Sequence, residues 1–401
     1  MLTAVEAREA ILAAMPVFDS VTVPADKAVG RVLRQRVVAE RDQPPFDRVM
    51  MDGIAIRFAD FDSGTRRYPI QSMQAAGDLP ASLDAGKCIE IMTGASLPGG
   101  ADCIVPVERI AVKEGMAQIE SDYDVEKRQF VHTQASDHAK GTELLSPGTR
   151  VSPMDVAIIA SCGLPEVDVA KHPSVVVIST GNELVPAGKP IEAQQIRMSN
   201  GPAIVAMLKQ HGHDDCKHDH LVDDPALLRK RIGSHLDKAD VLVLSGGVSM
   251  GHADFVPQVL DELGVRVEFH KVSQRPGKPM WFGIGRKGQP VFALPGNPVS
   301  ALVCCRQYIV PALSAAAGRA PSKLEFATLT EDVTIKPKLT CFLPVRLISN
   351  AAGQVLAMPV HMNTSGDFAS LSGTDGYVEL ALEQTKFPAG TTVPLHRWFA
   401  P

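Results

Sequence analysis

The sequence predicts a multidomain α/β protein, in which a doubly wound sheet domain is combined with regions rich in β-structure. Three observations lead to this class. The chain has 401 residues, more than one hydrophobic core usually supports. Between residues 173 and 317, continuous apolar runs alternate with segments of helical period, as in a sheet covered by helices on both faces. Short β-like runs separated by Gly, Pro and Asp occupy much of the remaining chain.

Composition and charge are typical of a soluble globular protein. Hydrophobic residues make up 45% of the chain and charged residues 21%, which is ample material for packed cores. The net charge of -5 is small and no long block of Lys or Arg occurs, so we expect neither a nucleic-acid nor a membrane partner. The apolar stretch ALVCCRQYIVPALSAAAG is interrupted by Arg306 and Pro311, which argues against a membrane span.

The N-terminus and the cysteines indicate the cellular compartment. The opening residues MLTAVEAREAILAAM carry early acidic residues and a helical pattern, unlike a secretory signal. The seven cysteines are scattered, odd in number and never spaced as C-x-x-C, which is typical of reduced thiols. We therefore expect a cytoplasmic protein.

The first 172 residues are expected to begin with a helix over residues 5–15, an extended segment at VTVP and a second short helix. A Pro-bounded loop, QPPFDRVMMDGIAIRF, then runs into a strand. From there to about residue 139, runs such as KCIEIMTG and DCIVPVERI predict a small all-β module. Residues 140–172 return to mixed character.

The pattern changes after His172 and Pro173, where SVVVIST predicts a strand buried on both faces. A glycine loop and a helix opened by Ser199 and Asn200 follow. The remaining predicted elements are, in order, a strand over 216–222, a helix from Pro225, the strand VLVLSGG, a helix from Asp254, the strand VRVEFHKV, a strand over 280–283, the strand VFALPG and a long helix from Pro298. After GRAPSK, further β-like runs predict a separate C-terminal β-domain of about 80 residues.

Four glycine loops of the α/β region are predicted to meet at one edge of the sheet, because each falls at a strand end. They read STGNELVPAG, LSGGVSMGHADF, QRPGKPMWFG and ALPGNPVSA. Glycines let backbone N–H groups turn outward, and a helix that starts just afterwards adds its positive end, so each loop can hold an anion such as phosphate. One such loop is equally a tight turn. Four on the edge where these sheets bind ligands indicate a site.

The LSGGVSMGHADF loop contains several candidate contacts. Gly246 and Gly247 admit a close ligand, and Ser249 offers a hydrogen-bond donor. Asp254 opens the following helix, where an aspartate is equally a helix cap.

Two other loops suggest oxyanion contacts. RPGKP places Arg275 and Lys278 beside a Pro-Gly turn, which brings two cations close together. PGNP leaves Asn297 between two prolines and ahead of the helix that carries Ser300. The rigid backbone of this segment indicates a preorganised polar contact.

Candidate carboxylates lie far apart in the sequence: Asp52 in MMDG, Asp137 in QASDHAKG, Glu183 in TGNEL and Asp254 in GHAD. Carboxylates near bound phosphates would hold a hard cation such as Mg²⁺, whose sites prefer oxygen ligands and retain waters. Any one of them is also an ordinary cap or solvated loop residue.

A histidine-rich stretch, HGHDDCKHDH over residues 211–220, raises the alternative of a transition-metal site. The stretch coincides with the start of a predicted strand, where neighbouring side chains point to opposite faces. Its spacing matches no familiar zinc pattern, so we expect no physiological metal there.

Taken in order along nearly the whole chain, the motifs resemble those of the molybdopterin molybdenumtransferases, of the MoeA type and the E domain of gephyrin. The motifs are PPFDRVMMDGIAIR, IMTGASLPGGADCIVPVE, STGNEL, IRMSNG, LSGGVSMGHADF, RPGKP and ALPGNPVSA. The resemblance implies insertion of molybdate into adenylylated molybdopterin with release of AMP, assisted by Mg²⁺. It also implies a homodimer, with each active site between the α/β domain of one subunit and the N-terminal region of the other.

The resemblance further implies an elongated N-terminal domain with an inserted β-domain, a molybdopterin-binding α/β domain and a C-terminal β-domain. The expected boundaries are 1–45 with 140–172, then 46–139, 173–317 and 318–401, respectively.

Motif by motif, the resemblance assigns roles to individual residues. Catalytic positions would be Asp52, Thr93, Asp137, Glu183, Asp254 and Lys278, with Asp137, Glu183 and Asp254 as the Mg²⁺ ligands. Substrate contacts would come from Gly181, Ser199, Asn200, Gly246, Gly247, Ser249, Arg275, Pro295, Gly296, Asn297, Pro298 and Ser300. Ser365, in NTSGDFASL, matches a serine of the C-terminal domain near the molybdate position.

Several positions depart from the family pattern, which usually reads FDNSAMDGYA where this chain reads FDRVMMDGIA. The departures that bear on the site are Arg48, Val49, Met50, Met198 and His252. They leave two alternatives open. One is a divergent paralogue that handles tungstate or related nucleotide-pterin chemistry. The other is a catalytically weakened scaffold that binds molybdopterin.

Overall fold

The computed structural model describes residues 1–247, 255–336 and 338–399, and it confirms the predicted α/β multidomain class. A sheet domain covered by helices on both faces occupies the middle of the chain, with largely β-structured regions before and after it. The domain boundaries given above remain a prediction.

The N-terminal region begins with the helix Ala4–Ala14, which starts at a capping box between Thr3 and Glu6. A second capping box, between Ser152 and Asp155, starts the helix Pro153–Ser161. The strands pair Ser20–Pro24 with Glu166–Ala170 and Val37–Val38 with Glu143–Leu145, in both cases antiparallel. The predicted second short helix is a single 3₁₀ turn, Ala25–Lys27.

Residues between these two parts of the N-terminal region form a separate sheet with its own cores. Its strand order is Cys103–Pro106, Gly53–Ile56, Cys88–Ile91, Arg67–Gln74, Met116–Ile119 and Ile110–Lys113. The short helix Phe58–Asp62, the 3₁₀ turn Val107–Arg109 and the pair Arg48–Val49 with Val131–His132 complete it. Gly53–Ile56 is buried on both faces, because apolar clusters pack against each side of the sheet.

The central α/β sheet has the strand order Cys216–Leu221, Val175–Thr180, Val241–Ser245, Pro290–Leu294, Trp281–Ile284 and Arg266–His270. Neighbours from Cys216–Leu221 to Pro290–Leu294 run parallel. Trp281–Ile284 and Arg266–His270 are antiparallel to their neighbours. Val175–Thr180 and Val241–Ser245 are buried at every position, which explains their continuous apolar sequences.

Helices cover both faces of this sheet. They are Asn200–Gln210, Pro225–Lys238, Val256–Glu262 and the long helix made of Pro298–Cys304, a π-helical turn Cys305–Ile309 and Val310–Ala316. The helix predicted from Asp254 is described from Val256 onward, and Asp254 itself lies outside the described residues. Leu184–Val185 and Ile196–Arg197 form a small parallel pair within the loop that follows the first strand.

Among the described residues, the long helix over Pro298–Ala316 has the length and mean hydropathy, 1.4, to suit a membrane span. However, 72% of its most apolar stretch is buried inside the fold, as in the core helix of a soluble protein.

The C-terminal sheet has the strand order Gln274–Arg275, Thr340–Ser349, Val355–Pro359, Glu325–Leu329, Thr392–Arg397 and Gly376–Leu380. Val333–Thr334 pairs with Lys386–Phe387, and Phe368–Leu371 forms a 3₁₀ turn. Gln274–Arg275 belongs to the central domain by sequence, so this pairing ties the two domains together.

Candidate active-site cleft

A cleft of about 160 Å³ opens at the carboxyl ends of three neighbouring parallel strands, Val175–Thr180, Val241–Ser245 and Pro290–Leu294. Seven of the predicted site residues line it: Glu183, Ser199, Asn200, Gly246, Gly296, Asn297 and Pro298. Three of the glycine loops therefore meet as the sequence predicted.

Contacts within the protein require glycine at Gly246 and Gly247, the first two glycines of LSGGVSMGHADF. Gly246 has φ of +100°, and an added Cβ would lie 2.6 Å from the carbonyl oxygen of Thr180 on the neighbouring strand. Gly247 has φ of +64°, and its Cβ would lie 2.8 Å from Val256 Cγ2. A close approach between two strand ends, together with a left-handed backbone, explains both residues without any ligand.

Asn200 joins two of the loops that form the cleft. Its Nδ2 donates to Ser245 Oγ at 3.0 Å and to the backbone oxygen of Gly296 at 2.8 Å. The neighbouring Ser199 occupies the N-cap position of the helix but makes no capping hydrogen bond with its side chain. The helix N-terminus therefore faces the cleft with its backbone donors uncapped by Ser199, which favours an anion there.

Ser365 brings the C-terminal region to the cleft. The Nδ2 of Asn297 donates to Ser365 Oγ at 2.7 Å, and the backbone N–H of Val299 donates to the oxygen of Ser365 at 3.1 Å. The sequence resemblance placed Ser365 near the oxyanion, and the structure gives the contact that holds it beside PGNP.

The RPGKP loop lies at the same edge for a different reason from the other three loops. It precedes Trp281–Ile284, which runs antiparallel to Pro290–Leu294, with Trp281 opposite Ala293. The start of this strand therefore lies beside the end of its neighbour. Arg275 and Lys278 are exposed and form no ion pair with another described residue, so both cations are available at this edge.

Glu183 is the carboxylate that the structure places in the cleft lining. It is exposed, and its carboxylate accepts no hydrogen bond from the described residues. It folds back over Gly181, whose φ is +147°, so that an added Cβ there would lie 2.6 Å from Glu183 Oε2. Gly181 therefore leaves room for an uncommitted carboxylate at the cleft.

Asp52 and Thr93 contact each other in the inserted sheet region and do not line this cleft. Thr93 donates from its backbone N–H and its hydroxyl to Asp52 Oδ1, at 2.6 and 2.7 Å. The hydroxyl hydrogen bond, followed by the backbone one, lowers the pKa of Asp52. Asp52 is therefore held as an exposed anion.

Asp137 contacts His132, which in turn contacts Arg48, one of the departures from the family pattern. Its Oδ1 is 2.9 Å from His132 Nε2, and the Nδ1 of the same ring is 3.2 Å from Arg48 Nη2. An arginine can only donate, so the contact favours the tautomer in which Nδ1 accepts and Nε2–H donates to Asp137. Arg48 thereby orients a hydrogen bond to this carboxylate.

The three predicted metal ligands do not come together in the described part of one chain. Asp254 lies outside the described residues, Asp137 is bonded to His132, and Glu183 lines the cleft. Among the described residues, no group of three His, Cys, Asp or Glu side chains lies close enough together to hold a metal ion.

The other predicted contacts differ in their placement. Ser249 and His252 lie outside the described residues. Ser300 is only 4% exposed and Pro295 is buried, so neither lines the cleft. Ser300 faces the core because it lies one turn into a helix that is buried at most positions.

The histidine-rich stretch distributes its side chains among different partners. His218 Nε2 is 2.9 Å from Ser179 Oγ, and His220 Nε2 is 2.9 Å from the oxygen of Gly181. His211 Nε2 is 2.8 Å from the oxygen of Trp398. Burial raises the pKa of the Cys216 thiol to about 12, so it is a poor metal ligand at neutral pH.

Sequence reasoning missed several residues of the cleft. Ser179 and Thr180 end the first strand, and Arg197 precedes the helix Asn200–Gln210. Met198, named above as a departure from the family pattern, also lines the cleft. The guanidinium of Arg197 donates to the oxygens of Pro186 and Lys189, at 3.0 and 2.7 Å, and so closes the glycine loop. The sequence signal that could have identified the missed residues is their position directly beside predicted strand and helix ends.

Comparison with known proteins gives a consistent relationship along the whole chain. Three family models match: the MoeA N-terminal region (domain I and II) over residues 2–163, a probable molybdopterin binding domain over residues 176–315, and the MoeA C-terminal region (domain IV) over residues 327–398. A molybdopterin molybdenumtransferase from Synechocystis sp. is 37% identical over 400 residues, 99% of this chain and 100% of the relative.

Further relatives agree. A molybdopterin molybdenumtransferase from Synechococcus elongatus is 34% identical and covers 92% of this chain and 93% of its own. Among solved structures, a molybdopterin biosynthesis MoeA protein from Pyrococcus horikoshii matches with a TM-score of 0.84 at 30% identity, with 100% of both chains covered.

Proposed function

The chain belongs to the molybdopterin molybdenumtransferase family, and from this premise we propose that it inserts molybdate into adenylylated molybdopterin and releases AMP. The observation that supports this most directly is the cleft itself, where three loops, a helix N-terminus and a serine of the C-terminal region meet. It offers donors for phosphate and pterin groups and an uncommitted carboxylate in one place.

The residues around the cleft bind different parts of the substrates, according to their charge. The helix start at Asn200 presents backbone donors to the phosphate groups of the substrate, and Gly246 lets these groups approach closely. Arg275 and Lys278 are the exposed cations at the same edge, and they hold the incoming oxyanion. Asn297 and Ser365 fix the far side of the cleft through their 2.7 Å hydrogen bond. Cleavage of the phosphoric anhydride then frees AMP.

Magnesium fits the donor set of this cleft. Mg²⁺ is commonly held by one or two carboxylates together with substrate phosphates, not by a closed protein cage. Glu183 provides such a carboxylate, since no described residue occupies it. When bound, the ion would polarise the anhydride and neutralise charge on the leaving phosphate. Asp137 and Asp254 are the other proposed ligands.

A homodimer supplies the remaining candidate residues. Asp52, Thr93 and Asp137 belong to the N-terminal half of the chain and do not line the cleft, although the family pattern assigns them to the active site. A second subunit that contributes its N-terminal region to the cleft would resolve this separation. The expected cellular location is the cytoplasm.

The reaction is tested with purified protein, adenylylated molybdopterin, Mg²⁺ and molybdate, with AMP release as the readout. We expect release to require both the divalent cation and the oxyanion. Glu183→Gln should lower the rate while substrate binding persists, and Glu9→Gln, an exposed carboxylate on the first helix, is the matched control. Equal release after chelation, or release with tungstate but not molybdate, would contradict the proposal.

Light scattering tests the assembly separately. We expect a species of twice the 42.9 kDa chain mass at micromolar concentration. A monomer that retains full activity would rule out a shared active site.

A further inference from the structure

A second pocket, which shares no lining residue with the cleft, lies where the N-terminal region meets the α/β domain. It is small, with a cavity volume of about 40 Å³. Its walls come from the turn around Arg31, from Arg150, from the linker at Lys171 and His172, from the loop 211–213 and from the end of the long helix, through Arg319. None of these residues has a place in the proposed reaction.

The charged side chains that line this pocket are all basic. Arg31, Arg150, Lys171 and Arg319 line it, and no carboxylate is among its lining residues. None of the three arginines forms an ion pair with another described residue. Asp214 is the carboxylate whose charge acts on Arg31, but it is exposed and lies outside the pocket wall. Three half-buried guanidinium groups therefore line one pocket, and no described carboxylate shares its wall.

Most of the hydrogen-bond donors of these arginines remain free. Arg31 Nη2 donates to the oxygen of Ala170 at 2.7 Å, and Arg150 Nε donates to the oxygen of Gly30 at 3.3 Å. The side chain of Arg319 makes no hydrogen bond to a described residue. A guanidinium carries five N–H donors, so each arginine keeps several for another acceptor.

A histidine in the same wall also has a ring nitrogen without a hydrogen-bond partner in the described structure. His213 is only 7% exposed, and its Nε2 has no hydrogen-bond partner among the described residues. Burial, followed by the charges of Arg150 and Arg306, lowers the pKa of Arg319. Burial is also the main cause that lowers the pKa of His211 and of His213 to about 4. Buried polar groups in proteins are normally satisfied, so the unpaired Nε2 of His213 indicates that a hydrogen-bond partner is missing from this wall.

We propose that this pocket binds a small, doubly charged tetrahedral oxyanion of the sulfate or phosphate type. Four oxygens around one centre can accept from several guanidinium groups at once, with the short, charge-assisted geometry that arginine favours. Because the cations come from separate parts of the chain, the bound anion fastens the N-terminal region to the α/β domain. Molybdate has the same shape and charge, so it is a third titrant. This inference does not depend on the transferase reaction.

The test is thermal unfolding of the full chain in sodium sulfate, phosphate or molybdate, against sodium chloride at equal ionic strength. An anion that binds only the folded state raises the midpoint temperature of unfolding, and the rise increases with the anion concentration. We expect each oxyanion, but not chloride, to raise the midpoint. Calorimetric titration of the folded protein with sulfate should show the same site directly.

Arg319→Gln is the decisive variant, because its side chain has no hydrogen bond in the described structure to lose. We expect it to weaken sulfate binding at least ~10-fold, the size of one charge-assisted hydrogen bond. In chloride its midpoint should equal or exceed that of the wild type, since like-charge repulsion is relieved. Arg150→Gln is the second variant, and it should show the same loss of sulfate binding.

Two controls separate this pocket from other anion sites. Arg67→Gln removes an exposed arginine without an ion pair in the inserted sheet region and should keep the full sulfate effect. Lys278→Gln removes a cation of the cleft and should also keep it. If the effect is lost in Lys278→Gln and kept in Arg319→Gln and Arg150→Gln, the anion binds in the cleft and the proposal is wrong. Equal midpoints in sulfate and chloride would also overturn it.

Discussion

Lowering the pH from 7 to 5 should destabilise this chain through His213, and replacing His213 with leucine should remove that part of the loss. The ring is 7% exposed and its Nε2 has no hydrogen-bond partner among the described residues. Burial, then the charges of His172, His211 and Arg150, lowers the pKa of His213 from 6.5 to about 4. The folded state therefore resists protonation of this imidazole.

The direction and size of the effect follow from this difference in pKa. Between pH 6.5 and about 4 the unfolded chain binds more protons than the folded one at this position, so the free energy of unfolding falls as the pH falls. For one group with these two values, the loss between pH 7 and pH 5 is about 2 kcal/mol. Below a pH of about 4 the loss becomes constant.

The assay is urea-induced unfolding of wild type and His213→Leu at pH 7 and pH 5, in chloride buffer. At pH 7 the variant should be nearly as stable as the wild type or more stable, because it removes a buried polar atom that has no partner. At pH 5 the variant should gain about 2 kcal/mol relative to the wild type. His138→Leu, at an exposed histidine, is the matched control and should leave the pH dependence unchanged.

A constant stability difference between wild type and His213→Leu at the two pH values would refute the reasoning. It would mean that His213 is protonated as readily in the folded chain as in the unfolded one. Carboxylates and histidines distant from His213 contribute equally to both proteins, so they cancel in this comparison. The charges of His172 and His211 act on His213, so their coupling to it is part of the measured difference.

Of three further predictions, two concern the neighbourhood of the cleft and the third concerns the inserted sheet region. Gly201→Ala should destabilise the fold by ~1–3 kcal/mol in chemical denaturation, because the new Cβ would lie 2.0 Å from His218 Nε2 and 2.6 Å from Ser179 Oγ; His218→Ala should recover part of the loss, and no destabilisation would contradict the packing. Asn297→Ala should cost ~0.5–1.5 kcal/mol in the same assay, since it removes the 2.7 Å hydrogen bond to the C-terminal region; an unchanged midpoint would mean that this bond does not couple the domains. Arg48→Asn should allow His132 to adopt both neutral tautomers, because asparagine can either donate to Nδ1 or accept from it. The ¹⁵N chemical shifts of the imidazole measure the two populations. An unchanged Nε2–H population would exclude arginine as the group that orients the ring.

Much of the fold was predictable because local sequence carries periodicity. The fully buried strand Val175–Thr180 is a continuous apolar run, and the first helix begins at a capping box, so both are visible in a short window. The meeting of three glycine loops also followed, since carboxyl ends of neighbouring parallel strands share one edge. The roles assigned to Asp52, Asp137 and Lys278 remain predictions.

Other features depended on which distant segments pack together. RPGKP lies at the cleft edge only because Trp281–Ile284 runs antiparallel to its neighbour, and no local pattern gives the direction of a strand. The glycines at Gly246 and Gly247 serve a close contact with Thr180 and Val256, although the sequence suggested a ligand. Strand direction and inter-strand contact are set by the path of the whole chain.

By itself, the sequence determined the family, the order of strands and helices in the α/β region, and the loops that form the cleft. Only the tertiary structure decided that Arg31, Arg150 and Arg319 share one pocket whose described lining has no carboxylate, and that the histidines of residues 211–220 bond different partners. The physical reason is that periodicity fixes which face of an element is buried. The partner that covers that face comes from another part of the chain, and its charge is therefore known only after folding.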